Sequence, residues 1–175
     1  MTLNWIGSSF DYYLISFYMK YVPGNIFVNT AVSSISELTA YIFSAFAMSL
    51  LGFKFSFMMG YALAAAGGFC IAFCDPNGFA IAIFVLIAKA GIAFAFQISY
   101  LAMPVLFPTE IRSTCFGIVN IFARFFSILS PIIAEAPAPA PMLIYGGLAT
   151  ICCLGSLCLR KPNQQEAAKE EQKEE

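Results

Sequence analysis

The chain has 175 residues, of which 60% are hydrophobic and 11% charged, with a formal net charge of −1 and no histidine. A soluble domain carries about 25% charged residues, so this composition excludes a soluble globular protein and reads as an integral membrane protein with no basic face for nucleic acid. At about 20 residues per span the length accommodates six membrane helices and leaves no room for a soluble domain.

The first span is expected over about residues 3–22 and is the least apolar, with Ser8, Ser9, Asp11, Tyr12 and Tyr13 in close succession. It needs neighbours to stay inserted. No basic region precedes it, and Asp11 and Lys20 interrupt it, so it reads as a retained helix and not as a secretory signal. Pro23-Gly24-Asn25 has turn chemistry, and the second span follows over about 26–51 with Glu37 at its middle. A short Gly52-Phe53-Lys54 connection leads to the third span, about 55–73, whose Gly60, Ala64, Gly67 and Gly68 would let another helix backbone come close.

Asp75-Pro76-Asn77-Gly78 breaks the chain, and the fourth span covers about 79–106, passing Lys89, Gly91 and Gln97 before Pro104, which is expected to kink its end. Residues 108–113 read as a polar loop. The fifth span, about 115–133, is apolar apart from Asn120, Arg124, Ser127 and Ser130. Alternating Ala and Pro over 136–141 predict a stiff, extended connector to the sixth span, about 142–159. The fold class is therefore all-α: a polytopic six-helix transmembrane bundle over 1–161, followed by a polar, solvated tail over 162–175.

Four charges lie near the centres of apolar spans: Asp11, Glu37, Lys89 and Arg124. A central arginine costs roughly 2.5–3.5 kcal/mol on insertion scales, so such residues face a bundle interior or a wet cavity and mark ligand or ion paths. Two acids and two bases at one depth suggest several helices around one polar centre, either as a substrate clamp or as permanent ion pairs holding the bundle together. Tyr12, Tyr13, Phe94, Phe96 and Tyr100 could line such a cavity and offer π faces to an organic ion. The six cysteines show neither CxxC spacing nor accompanying histidine, so they read as packing residues; neither metal nor cofactor is expected. With no histidine and no nucleophile-base constellation, the chain does not read as an enzyme. Lys54, Arg112, Arg160 and Lys161 on one side against Lys20, Asp75 and Glu135 on the other predict both termini on the cytoplasmic side.

The run FPTEIRSTCFGIVNIFARFFSILSP, residues 107–131, resembles helix eleven and the loop before it in the organic cation/anion/carnitine transporters, solute carrier family 22 of the major facilitator superfamily. DYYLISFYMKYVPGNIFVNTAVSSISELTAY, residues 11–41, is similar to that family's helices seven and eight, and KAGIAFAFQISYLAMPVLFPT, residues 89–109, to its helix ten. The resemblance runs from residue 4 to about 160 and implies a major-facilitator half-bundle, the carboxyl-terminal six helices of a twelve-helix transporter. By position, Arg124 matches the helix-eleven base of the anion and carnitine branches, Tyr12 and Tyr13 the helix-seven tyrosine pair, Glu37 a helix-eight acid and Lys89 the helix-ten base. Arg124 thus leans the expected substrate towards a carboxylate or zwitterion, which a guanidinium fork holds bidentately. The candidate substrate-binding residues are Arg124, Lys89, Tyr12, Tyr13, Glu37, Asp11 and Gln97.

Departures from the family pattern fall at the gate. Residues 49–55 read SLLGFKF, with Lys54 alone where the superfamily has an acidic and basic cluster. Val105 replaces the acid expected near Arg112, for which Glu110 is the available substitute; Lys54, Arg112 and Glu110 are the candidate gating residues. Phe125 and Phe126 replace small residues and would crowd a cavity. The family's amino-terminal six helices are not in this sequence, and alternating access needs two bundles about a midplane site. The expectation is a secondary transporter of organic ions acting in the lipid bilayer with a second six-helix half. The alternative is a degenerate half kept as a structural subunit of a larger membrane assembly.

Overall fold

The computed structural model describes residues 2–22, 25–73, 79–107, 109–137 and 139–158, so the 74–78 break, the Pro23-Gly24 turn, Arg160, Lys161 and the 162–175 tail lie outside the described residues. The order is α1 (Thr2–Tyr18), a 3₁₀ turn (Met19–Tyr21), α2 (Ile26–Phe73), α3 (Phe79–Leu106), α4 (Thr109–Ser127), α5 (Ser130–Ala134) and α6 (Ala140–Leu157). Among the described residues four stretches are long and apolar enough to cross a membrane: Ile26–Phe73, Ile81–Leu106, Thr109–Ala134 and Ala140–Leu157. The chain is an integral membrane protein built of helices.

Gly52 divides α2. It has φ 77° and ψ 166°, a backbone region that essentially only glycine occupies, and no neighbouring atom would obstruct a side chain there, so the glycine serves the turn and not the packing. Ser36, Thr39 and Phe43 on one arm and Met59, Leu63 and Ala66 on the other, about equally far from Gly52, line one cavity of ≈ 830 Å³. The chain therefore reverses at Gly52, and the two arms lie side by side. Lys54, expected in a connection, is already helical.

The carboxyl-terminal arm of α2 packs closely on α3. A Cβ on Gly67 would stand 2.7 Å from the Ala88 backbone nitrogen, and one on Gly91 would stand 2.6 Å from that of Ala64. Small residues on both helices thus bring the two backbones together, the arrangement that lets van der Waals packing and not hydrophobic exclusion hold helices together in lipid. α6 joins the same layer through Tyr145, whose ring lies against Gly68 and whose hydroxyl donates to Ala88 O at 2.8 Å.

α1 threads the interior, touching α3, α4, α5 and α6. Its buried face carries Asn4, Ser8, Asp11 and Ile15, three or four residues apart. Asn4 Nδ2 donates to Ser156 Oγ at 2.7 Å, Tyr61 OH donates to Asn4 O at 2.6 Å, and Ser130 Oγ donates to Phe10 O at 3.1 Å. These bonds explain how the least apolar helix takes the most enclosed position.

Two local expectations are corrected. The stretch read as a polar loop is the first turn of α4, which begins at Thr109; Glu110 lies where a negative charge complements the helix amino terminus. The 136–141 connector, of which residue 138 lies outside the described residues, is turned at both ends and not extended there: Ala136 N–H donates to Ile133 O at 3.1 Å, Ala140 N–H to Pro137 O at 3.1 Å, and Pro141 sits in the first turn of α6, where its missing N–H costs nothing. Pro104 occupies the last turn of α3, which continues to Leu106.

Candidate functional site

A continuous line of contacts crosses α3, α2, α1 and α4. Lys89 Nζ lies 2.7 Å from Glu37 Oε1, with side chains only 10% and 15% exposed. The other carboxylate oxygen of Glu37 accepts from Tyr12 OH at 3.0 Å. Tyr41, one turn after Glu37, stands against both Tyr12 and Glu37. The Tyr12 ring stacks on Phe96 with centroids 5.4 Å apart and meets Tyr13 edge-on at 5.7 Å. Tyr13 OH in turn accepts from Arg124 Nη1, and the guanidinium carbon lies 5.6 Å from the Tyr13 ring centroid.

This chain of contacts follows from local helix geometry. Glu37 and Tyr41 are four apart on the amino-terminal arm of α2 and so share a face. Tyr12 and Tyr13 are consecutive on α1, about 100° apart, and point one to Glu37 and the other to Arg124. The aromatic group continues through Phe96–Tyr100 at 5.2 Å, Trp5–Tyr100 at 4.7 Å and Trp5–Phe116 at 5.4 Å, which fixes α3 and α4 against α1.

The four midplane charges do not form one cluster. Glu37, Lys89 and Arg124 are linked through the tyrosines, but Asp11 is fully buried on another face of α1, and neither of its carboxyl oxygens has a hydrogen-bond partner. Asp11 and Tyr12, consecutive on α1, diverge by about 100° in direction. Arg124 is exposed on the flank of the bundle and pairs with a phenol, not with an acid; the only ion pairs among the described residues are Lys89–Glu37 and Lys20–Glu135. With Glu37 neutralised by Lys89, the linked set carries one unmatched positive charge, at Arg124. Gln97 is half-buried, roughly two turns along α3 from Lys89.

Other expected neighbours separate too. Phe94 is buried and lines the cavity beside Gly60, away from Phe96, since the two lie two apart on a helix. Phe125 and Phe126 are 68% and 42% exposed and pack edge-on against each other at 5.9 Å, so they crowd no cavity in this bundle. Glu110 does not pair with Arg112, because residues two apart on α4 face different ways. Arg112 instead donates to Phe107 O at 3.3 Å and Pro104 O at 3.2 Å, capping the carbonyls at the end of α3. Lys54 is half-buried just after the reversal. Among the described residues no group of His, Cys, Asp and Glu side chains has the grouping to hold a metal.

Tyr41 was not among the expected site residues, and its four-residue spacing from Glu37 is the signal that could have found it. The hydroxyl pairs of α1, such as Ser9 with Ser127 at 3.0 Å, had no such signal, because they span 118 residues of chain.

Against known proteins, the similarity extends over nearly the whole chain. Human solute carrier family 22 member 13 is 31% identical over 162 residues, covering 90% of this chain and 29% of the relative. Along that length the chain is similar to the organic cation/anion/carnitine transporters. Human organic cation/carnitine transporter 2 is 26% identical over 159 residues, and rabbit organic anion transporter 3 is 26% identical over 155. These alignments cover 89% and 86% of this chain but only 28% and 29% of the relatives, so the chain spans roughly a third or less of the length of the curated relatives it matches. No family model matches the chain.

Proposed function

We propose that this chain is the carboxyl-terminal six-helix half of a secondary transporter for organic ions, with a carboxylate or zwitterion as the preferred substrate. The observation that carries this reading is Arg124, a cation on an apolar helix with no carboxylate partner among the described residues, at the end of the line that runs through Tyr13, Tyr12 and Glu37 to Lys89. A lone arginine at that depth is stable only against water, another protein surface or an anion. The open flank of α4 is where a second six-helix half would pack, and the substrate would sit between the halves near the bilayer midplane, in alternating access. The Arg124 fork would take the carboxylate, while Tyr13 positions the guanidinium.

The six-span count rests on α2. Its 48 residues would reach roughly 72 Å as one rod, more than twice the ~30 Å hydrocarbon core, so its two arms serve as two spans on either side of Gly52. α1, the two arms, α3, α4 with α5, and α6 then make six. Both termini lie on the cytoplasmic side in this reading, with Arg112 and Lys54 there.

The test is uptake of labelled organic anions, zwitterions and cations by cells or proteoliposomes containing the full-length protein. Arg124→Ala should abolish anion uptake, and Arg124→Lys should leave a weak remainder, since a point charge replaces a fork. Anion uptake unchanged by Arg124→Ala would remove Arg124 from the site. A second reading, a structural subunit of a larger assembly, is favoured by one observation: Arg112 is occupied by backbone carbonyls and not by a gating acid. Absence of uptake together with stoichiometric co-purification in a large complex from native membranes would select it.

A further inference from the structure

Asp11 is the charged side chain that the line from Arg124 to Lys89 leaves unused. It is 0% exposed near the middle of α1, and Oδ1 and Oδ2 are both without a hydrogen-bond partner. The groups that act on it electrostatically are Tyr61 from α2 and Tyr145 and Cys152 from α6. Each has given its hydrogen elsewhere: Tyr61 OH to Asn4 O at 2.6 Å, Tyr145 OH to Ala88 O at 2.8 Å, and Cys152 Sγ to Leu3 O at 3.8 Å. With those hydrogens committed, what these groups retain is acceptor capacity. No cation answers it from the other packed elements. On α3, Lys89 is bound to Glu37 and Tyr100 packs on Trp5; on α4, Arg112 lies on carbonyls and Arg124 on Tyr13; α5 has no titratable residue.

A carboxylate in that position would have neither a donor nor a counter-charge, and buried charges persist only when paired. A carboxylic acid meets neither objection. Its O–H can be given to an oxygen or sulfur whose own hydrogen is committed. We propose that Asp11 is a proton-binding site, and, resting on the transporter reading above, that its proton is the ion exchanged with water during the transport cycle. In the conformation described the acid is neutral and sealed between α1, α2 and α6. When this interior opens to water, the carboxyl O–H bond breaks, the proton passes to water, and the carboxylate remains until it is reprotonated from the other side. Asp11 is thus separated in role from Arg124: one side chain holds the proton and the other the substrate anion.

Two measurements test this on the full-length protein in lipid. In the first, infrared spectra of wild type and Asp11→Asn are compared as a function of pH, and the wild type is treated with a hydrophobic carbodiimide, which reacts with protonated carboxyls in apolar surroundings. A protonated-carboxyl band present in wild type and absent from Asp11→Asn, together with carbodiimide label mapped to Asp11, is expected. No such band and no label at any pH tested would overturn the site, and because the labelling uses the wild type, a misfolded variant does not obscure the answer. In the second, proteoliposomes are loaded with and without an inward proton gradient. Wild type should accumulate substrate in response to the gradient, and Asp11→Asn should lose that response. An equal response in both would overturn the coupling, whereas uptake by neither form counts against the transporter reading and leaves the infrared result to decide the proton site.

Discussion

Where the carboxyl-terminal arm of α2 meets α3 and α6, glycines and alanines let backbones approach to the limit of van der Waals contact; along the amino-terminal arm of α2 and on α4, large apolar side chains point outward instead. A Cβ added to Gly67 or Gly91 in the first region would stand within 3 Å of backbone atoms, while in the second Phe27 is 82% exposed and Ile121 70%. Both regions lie on helices apolar enough to cross a membrane. What separates them is residue size, because in lipid hydrophobicity does not drive helices together and close fit does. Polar groups divide the same way. The sealed region holds hydroxyls bonded to backbone carbonyls, with the unbonded Asp11 nearby, whereas the open region holds Arg124. The Glu37–Lys89 pair lies on the seam.

The seam should be the most sensitive place. Lys89→Ala leaves Glu37 as an unpaired buried carboxylate with only the Tyr12 hydroxyl, and should lower stability by about 3–5 kcal/mol in chemical unfolding of the detergent-solubilised protein. Adding Glu37→Gln should restore much of that loss. If the double variant is as unstable as the sum of the singles, the pairing is not what the two residues contribute.

The packing contrast predicts the next largest effect. Gly67→Val should cost about 1–3 kcal/mol and lower the thermal midpoint, since α2 and α3 must separate to admit the side chain. Gly117→Ala on α4, where nothing lies within 4 Å of the added carbon, should stay within about 0.5 kcal/mol of wild type. Equal responses at the two glycines would erase the distinction between the regions. Tyr145→Phe, which frees the Ala88 carbonyl inside the sealed layer, should cost about 1 kcal/mol by the same unfolding measurement.

The smallest effect belongs to Lys20 and Glu135, 2.9 Å apart and exposed at one rim of the bundle. Hydrogen bonding to Glu135 raises the Lys20 amine above its ordinary range, and the Lys20 hydrogen bond lowers the Glu135 carboxyl below its own. A lowered carboxyl contributes stability above its unfolded-state value that is lost as pH falls through the folded value. A raised amine contributes below its unfolded-state value, and this is lost as pH rises through the folded value. The pair is therefore intact across neutral pH and fails at both extremes. Glu135→Gln should produce a slight drop in thermal midpoint at neutral pH that disappears in high salt, as expected of an exposed pair.

Much of this was legible in the sequence. Apolar runs of membrane length, the turn chemistry at Gly52, the small residues of 60–68 and the family likeness in residues 107–131 all rest on local composition. So does the energetic anomaly of charges in apolar helices, since the cost of a buried charge depends on its surroundings within a single span. The partners of those charges were not legible. Glu37 binds Lys89 and not Arg124, Arg112 turns to carbonyls and not to Glu110, and Asp11 meets no donor at all. Each of these outcomes depends on how far a helix is rotated about its axis. That rotation is fixed by side-chain packing between segments remote in the chain, as where Gly67 meets Ala88 and Gly68 meets Tyr145, and a change of one residue along a helix swings a side chain by about 100°. Sequence alone determined that this chain lives in a membrane and carries charge at its depth; only the tertiary packing decided which charge is paired, which is sealed away and which is left facing outward.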